Sequence, residues 1–127
     1  QNPKPLSRTL YDNIVYELKD ISKDQVRSLI ESFQIPQLFG SLQLDDNVGK
    51  AGEKLSGGQK QIIMLLKYFL KNSRIIILDE PSSAIDNNSK INVIRIINKL
   101  IEDKTSLIIT HDEELLKKIN FTRTLSF

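Results

Sequence analysis

Four branched aliphatic residues in a row, Ile75-Ile76-Ile77-Leu78, run straight into Asp79, Glu80 and Pro81. A continuous run of that kind, with no polar alternation, predicts a strand of a parallel sheet covered on both faces. Ser106-Leu107-Ile108-Ile109-Thr110 predicts a second buried strand. Between them, Ile91, Ile94, Ile97 and Ile101 mark one face of a helix that begins near Asn87. Glu113 to Ile119 predicts a short helix, and Thr122 to Phe127 a final strand. Strands alternating with helices make a parallel α/β sheet the expected fold of this half.

The preceding half reads as helical. Gln1 to Ser7 holds prolines and reads as loop, and Leu10, Ile14 and Leu18 are spaced for a short helix. Ser22-Lys23-Asp24-Gln25 forms a capping box, in which serine and glutamine each satisfy an exposed backbone N–H. Behind it Val26, Leu29, Ile30 and Phe33 make an amphipathic stripe, closed off by Pro36 and Gly40. Ser41 to Lys54 is polar and reads as loop. A second capping box, Ser56-Gly57-Gly58-Gln59, opens a helix whose stretch Ile62 to Leu70 is apolar on nearly every side but Lys67, so it is expected to be largely buried. No repeat or low-complexity segment interrupts the chain.

Several classes of function are disfavoured. The 18 basic and 16 acidic residues are interspersed, leaving +2 and no basic cluster for nucleic acid. Without cysteine there is no disulfide and no thiolate metal site. The apolar runs are far too short to span a bilayer. At 127 residues the chain fits one modest domain or part of a larger one. It starts at Gln1 without a signal-peptide pattern, so the expectation is a fragment, a processed product or an excised region.

Three places carry potential chemistry. Carboxylates at the carboxyl end of a parallel strand lie where such sheets bind ligands. There Asp79 can hold Mg²⁺ through water, and Glu80 can orient or deprotonate a water attacking a phosphate. Equally, both residues can be polar starters of the turn at Pro81. Leu55-Ser56-Gly57-Gly58-Gln59-Lys60 presents glycine N–H groups and a hydroxyl at a helix N-terminus, which suits an anion. A plain capping box with a tight entry is the bland alternative. His111, the single histidine, follows the second strand and can face a phosphate oxygen or simply solvent.

Taken in order, these pieces resemble the motifs of the ATP-binding cassette (ABC) ATPase family, and the resemblance covers the whole chain. Leu55-Ser56-Gly57-Gly58-Gln59 matches the family signature, and Ile75 to Pro81 matches Walker B with its catalytic glutamate. Gln1-Asn2-Pro3 resembles the Q-loop, Ser83-Ala84-Ile85-Asp86 the D-loop with isoleucine in place of leucine, and His111 in Ile109-Thr110-His111-Asp112 the switch histidine. Thr9 to Ile14 looks like the segment after the Q-loop in exporters. Asn47 to Gly52 is similar to the exporter loop that senses the membrane domains, departing from it at Lys50 and Ala51.

The resemblance implies a partial P-loop NTPase fold, with a helical subdomain at about 7–70 and a RecA-like core portion at about 71–127. It implies ATP and Mg²⁺ as cofactors, with Asp79 and Gln1 on the metal, Glu80 as general base, and His111 and Gln1 as further catalytic residues. Ser56, Gly57, Gly58 and Gln59 would meet the γ-phosphate of a nucleotide held by a second cassette, with Asp86 at that interface. Transmembrane domains, in the same chain or a separate subunit, would be the other partner, which places the protein on the cytoplasmic face of a membrane. No nucleic-acid partner is expected. The glycines stand only at 40, 49, 52, 57 and 58, so the chain contains no Gly-x-x-x-x-Gly-Lys-Ser/Thr loop. That loop and the adenine-stacking aromatic are expected upstream of Gln1, and the chain alone is expected to be inactive.

Two rival readings are a soluble ABC ATPase of translation or chromosome maintenance, and a non-catalytic remnant that binds partners. Translation factors usually carry Asn-His-Leu-Asp where Ser83 to Asp86 stand, and chromosome-maintenance members insert a long coiled coil before the signature. Only about fifty residues separate Gln1 from Leu55, which favours the transporter. Intact Glu80 and His111 speak against a remnant.

Overall fold

The structure is a computed structural model that describes residues 5–83 and 85–123. Its elements are α1 (Leu10–Val15), α2 (Lys23–Ser32), a single 3-10 turn (Lys50–Gly52), α3 (Gly57–Lys71), β1 (Ile75–Asp79), α4 (Asn87–Ile101), β2 (Thr105–Ile109) and α5 (Glu113–Lys118). Helices and a small parallel sheet make up an α/β fold, as the alternation of strand and helix signals predicts. Each helix starts where a capping side chain stands. Thr9 accepts from the Asp12 N–H, and both expected capping boxes form, Ser22 with Gln25 and Ser56 with Gln59. α3 ends at Asn72, whose left-handed backbone (φ 50°, ψ 40°) closes the last turn.

α3 is the axis of the packing, with α1 against one side and α4 against another. Ile62, Leu65 and Leu66 of α3 join Val93, Ile96, Ile97 and Leu100 of α4 and Leu10 and Ile14 of α1 in one buried cluster. Each such side chain contributes about 1.5–3 kcal/mol relative to exposure. Asn13, buried beside them, is fully engaged: its amide bonds the backbone of Leu6 in both directions and the carbonyl of Thr9. The loop before α3 is zipped onto the entry to α1, where Val48 N donates to Arg8 O and Leu10 N to Asp46 O.

β1 and β2 run parallel, paired from Ile75↔Thr105 to Asp79↔Ile109, with α4 as the crossover between them. Here the structure corrects the expectation of strands covered on both faces. Ile76 and Leu78 are buried, but Ile75, Ile77, Leu107 and Ile109 are 67%, 58%, 54% and 50% exposed. Unbroken aliphatic composition reports strand propensity. It does not report whether the polypeptide that covers the second face lies within these residues.

The α4 stripe is likewise shifted. Its buried residues are Val93, Ile94, Ile96, Ile97 and Leu100, whereas Ile91 is exposed. Steps of three fall short of a full turn of 3.6 residues, so the isoleucine series rotates away from the core face toward the helix start. In α3, residues 61–63, 65 and 66 are buried and residues 67–70 are half-buried. The strand expected from Thr122 lies for the most part outside the described residues, and 122 and 123 are irregular.

Candidate functional site

The carboxyl ends of β1 and β2 deliver the site. Asp79 closes β1 on the same open face as Ile75 and Ile77, because alternate residues of a strand share a face. Its side of the sheet is exposed. The ladder extends one residue further, as Glu80 N donates to Ile109 O at 2.8 Å. Glu80 then takes a positive φ of 47°, which costs on the order of 1 kcal/mol for a residue with a Cβ. The bend carries its carboxylate across to the end of β2.

There the carboxylate meets the residues after β2. Oε1 accepts the His111 backbone N–H at 3.1 Å and lies 2.7 Å from His111 Nδ1, while Oε2 accepts the Thr110 hydroxyl at 3.3 Å. A carboxylate oxygen accepts, so Nδ1 is the donor in this bond and Nε2 is the ring nitrogen it leaves open. The His111 side chain is 88% exposed and that of Glu80 29%. The pair can therefore present a carboxylate oxygen and an imidazole nitrogen together to a ligand from solvent. A cleft of about 310 Å³ opens beside them, lined by Glu80, Ser82, Ser83, Ile85, Lys90, His111 and Asp112. A larger hollow of about 550 Å³ lies between α2 and residues 34–44 and holds none of the chemistry-bearing residues.

Asp112, which sequence reasoning missed, organises the back of this cleft. It caps α5 through the N–H groups of Glu114 and Leu115, accepts the Ser82 hydroxyl at 2.7 Å, and pairs with Lys90 at 2.8 Å. The Lys90 ammonium first, and then the Ser82 hydroxyl, hold its carboxyl far below the usual carboxylate range. Lys90 in turn is raised, chiefly by Asp112. An aspartate just before two glutamates was a legible cap for α5. Nothing local pointed to Lys90, which is 22 residues away in sequence.

The signature residues lie at the start of α3. Ser56 and Gly57 are exposed, Gly58 is buried and Gln59 half-buried. The Gln59 side chain is spent on the cap, accepting Ser56 N at 2.9 Å, with a long bond from its amide to Leu38 O. The Ser56 oxygen accepts Gln59 N, which leaves its hydroxyl hydrogen free to donate. The first-turn N–H groups of Gly57 and Gly58 have no helical partner. Gly58 has a packing reason to be glycine: a Cβ there would sit 2.4 Å from Ser89 Cβ and 3.3 Å from Ile85 Cγ2. Through that contact the signature meets the first turn of α4 and the Ser83 to Asp86 stretch.

Asp86 caps α4 with its carboxylate on Ser89 N at 3.0 Å, and that backbone bond lowers its pKa. Gln1 lies outside the described residues. Among the described residues no three acidic or imidazole groups converge on a metal position. Asp79, exposed at the end of β1, is a carboxylate of the kind that could hold a hydrated Mg²⁺.

The profile of the family described as "ABC transporter" matches residues 1–83, more than half of the chain. The chain is 33% identical over 105 residues to an ATP-dependent lipid A-core flippase of Neisseria meningitidis, covering 81% of this chain and 17% of that protein. It is 30% identical over 126 residues to the phosphate import ATP-binding protein PstB 3 of Synechocystis, covering 96% of this chain and 46% of that one. The structure superposes on a bacterial Atm1-family ABC exporter with ATP bound at a TM-score of 0.75 and 25% identity, over 91% of this chain and 21% of that chain. The chain thus spans less than half the length of these relatives.

Proposed function

The chain belongs to the ABC transporter family, and we propose on that premise that it is the distal part of an exporter-type nucleotide-binding domain whose ATP hydrolysis drives transport. In this reading about 7–70 is the helical subdomain and about 71–127 the RecA-like portion. The observation that carries it is the Glu80–His111 pair at the joined ends of two parallel strands, 2.7 Å between carboxylate and ring.

Glu80 is the general base. Its Oε1 is occupied by His111, and Oε2, with only a 3.3 Å bond from Thr110, is the oxygen left to take a proton from the attacking water. His111 donates Nδ1–H to Glu80 and, in its doubly protonated form, donates Nε2–H to an oxygen of the γ-phosphate. Asp79, with Gln1, would hold the hydration shell of a bound Mg²⁺. MgATP, when bound, supplies the scissile phosphoanhydride and a cation that neutralises charge on the phosphates. Ser56, Gly57 and Gly58 aim a hydroxyl and two N–H groups, with Gln59 setting the cap, at the γ-phosphate of a nucleotide bound by a second cassette, and Asp86 sits near that face.

No helix among the described residues is long and apolar enough to cross a membrane, so the transmembrane domains of this proposal are other segments or subunits. The relatives include both a flippase and an import protein. The exporter assignment rests on Thr9 to Ile14 and Asn47 to Gly52. The site then works at the cytoplasmic face of a membrane.

The test is MgATP turnover by the chain alone and by the chain joined to the polypeptide that carries a P-loop. The chain alone is expected to give background, and the joined protein to turn over ATP at a rate that His111→Ala lowers about a hundredfold. Turnover by the chain alone, or indifference to His111→Ala, sinks the proposal.

A further inference from the structure

His111 is held by little besides its own backbone. Its side chain is 88% exposed, and its ring has Glu80 as hydrogen-bond partner. The ring's place is therefore set by the segment from Thr110 to Asp112, and that segment is anchored at Asp112. Asp112 Oδ1 accepts the N–H groups of Glu114 at 3.0 Å and Leu115 at 3.2 Å. Oδ2 accepts the Ser82 hydroxyl at 2.7 Å and lies 2.8 Å from Lys90 Nζ. Ser82 is 3% exposed, and the side chains of Lys90 and Asp112 are 16% and 15% exposed, so water competes little for these bonds.

The cluster joins the pieces of the site that the chain brings from far apart. Ser82 follows Glu80 by two residues and Asp112 is the neighbour of His111. Lys90 stands in the first turn of α4, beside Ser89, against which Gly58 of the signature packs. A cation near a helix N-terminus is opposed by the helix dipole, so Lys90 is a poor choice for α4 itself. Its place is explained by what it reaches.

We propose that Lys90, Asp112 and Ser82 are positioning residues for ATP hydrolysis. The shared Asp112 carboxylate clamps the backbone behind His111 to the turn after Glu80 and to the start of α4. The His111–Glu80 pair is thereby kept in register with the signature surface when nucleotide is bound. This rests on the reading of Glu80 and His111 given above.

The experiment uses the ATP-hydrolysing protein, this chain together with the P-loop polypeptide, carrying Lys90→Met, Lys90→Arg, Asp112→Asn or Glu80→Gln. Asparagine caps a helix as well as aspartate does, so Asp112→Asn removes the charge facing Lys90 and keeps the cap. Misplacement of a reacting group by about an ångström can cost a hundredfold in rate. A looser clamp is expected to lower kcat about tenfold in Lys90→Met and Asp112→Asn, with KM for ATP within about threefold, and Lys90→Arg to recover kcat to within about threefold. Because His111 is the sole histidine of this chain, selective imidazole labelling of the chain reports its ring directly by NMR. That resonance is expected to move in both clamp variants.

Unchanged kcat with an unmoved resonance overturns the proposal. So does a loss confined to KM, or a loss that follows lowered melting temperature with no recovery in Lys90→Arg. A dead Glu80→Gln beside fully active clamp variants overturns this inference alone. A Glu80→Gln protein that turns over normally sinks the parent reading as well.

Discussion

Gly58→Ala puts the packing of the signature helix to a quantitative test. The new Cβ would lie 2.4 Å from Ser89 Cβ, 2.9 Å from Ser89 Oγ and 3.3 Å from Ile85 Cγ2. Ser89 Cβ is attached directly to the first turn of α4 and cannot rotate away, so α3 and α4 must separate. Such overpacking costs about 1–3 kcal/mol. Alanine recovers about 0.5–1 kcal/mol of helix propensity, less near a helix start. The net expectation is a loss of about 1–2 kcal/mol, or a fall in melting temperature of roughly 3–8 °C for a chain of this size.

The assay is thermal and urea unfolding of the 127-residue chain, with Ser89→Gly and the double variant completing a cycle. Ser89→Gly removes the obstructing atoms and keeps the backbone bond from Ser89 N to Asp86. The double variant should recover about 1 kcal/mol relative to the sum of the singles. If Gly58→Ala is as stable as the parent or more so, or if Ser89→Gly restores nothing, the close approach of α3 and α4 is wrong.

The depressed pKa of Asp112 means that its contribution to stability is present above the ordinary carboxyl value of 3.8 and is lost as pH falls through its lower folded value. The raised pKa of Lys90 gives the opposite limb, a contribution present below 10.5 and lost as pH rises through its higher folded value. The stability gap between the parent chain and Asp112→Asn should therefore stay flat from about pH 5 to 9 and narrow below about pH 4 in pH-resolved urea melts. On the exposed sheet face, Ile77→Lys with Leu107→Glu should raise solubility and weaken binding of a hydrophobic dye, with unfolding free energy changed by less than about 0.5 kcal/mol. A large loss of stability there would mean that the face is covered.

How much of this was legible in the sequence depended on the range of each interaction. Capping boxes at Ser22 and Ser56 were readable because both partners lie within four residues. The strand run Ile75 to Leu78 and its parallel partner were readable because apolar composition and an intervening helix leave few alternatives. The order of the motifs pointed to Glu80 and His111 together, although 31 residues separate them. What could not be read was which faces are covered. The aliphatic runs look alike whether both sides are packed or one, and the exposed Ile75, Ile77, Leu107 and Ile109 followed the strand pattern all the same. Nor could the Lys90–Asp112 pair be read, since an ordinary surface lysine and a helix cap carry no sign of each other. Gly58 was singled out for an anion, and its tight contact with Ser89 emerged only from the packing of α3 on α4.

Whether Glu80 is the base of an ATP-hydrolysing site is decided by Glu80→Gln in the chain joined to a P-loop polypeptide. The measurement is single-turnover hydrolysis of MgATP beside nucleotide binding. The substitution keeps the size of the side chain and an oxygen for His111, while removing its basicity. Hydrolysis is expected to slow by about a hundred- to ten-thousandfold with ATP still bound. Hydrolysis within a few fold of the parent, with nucleotide bound equally well, contradicts Glu80 as the base.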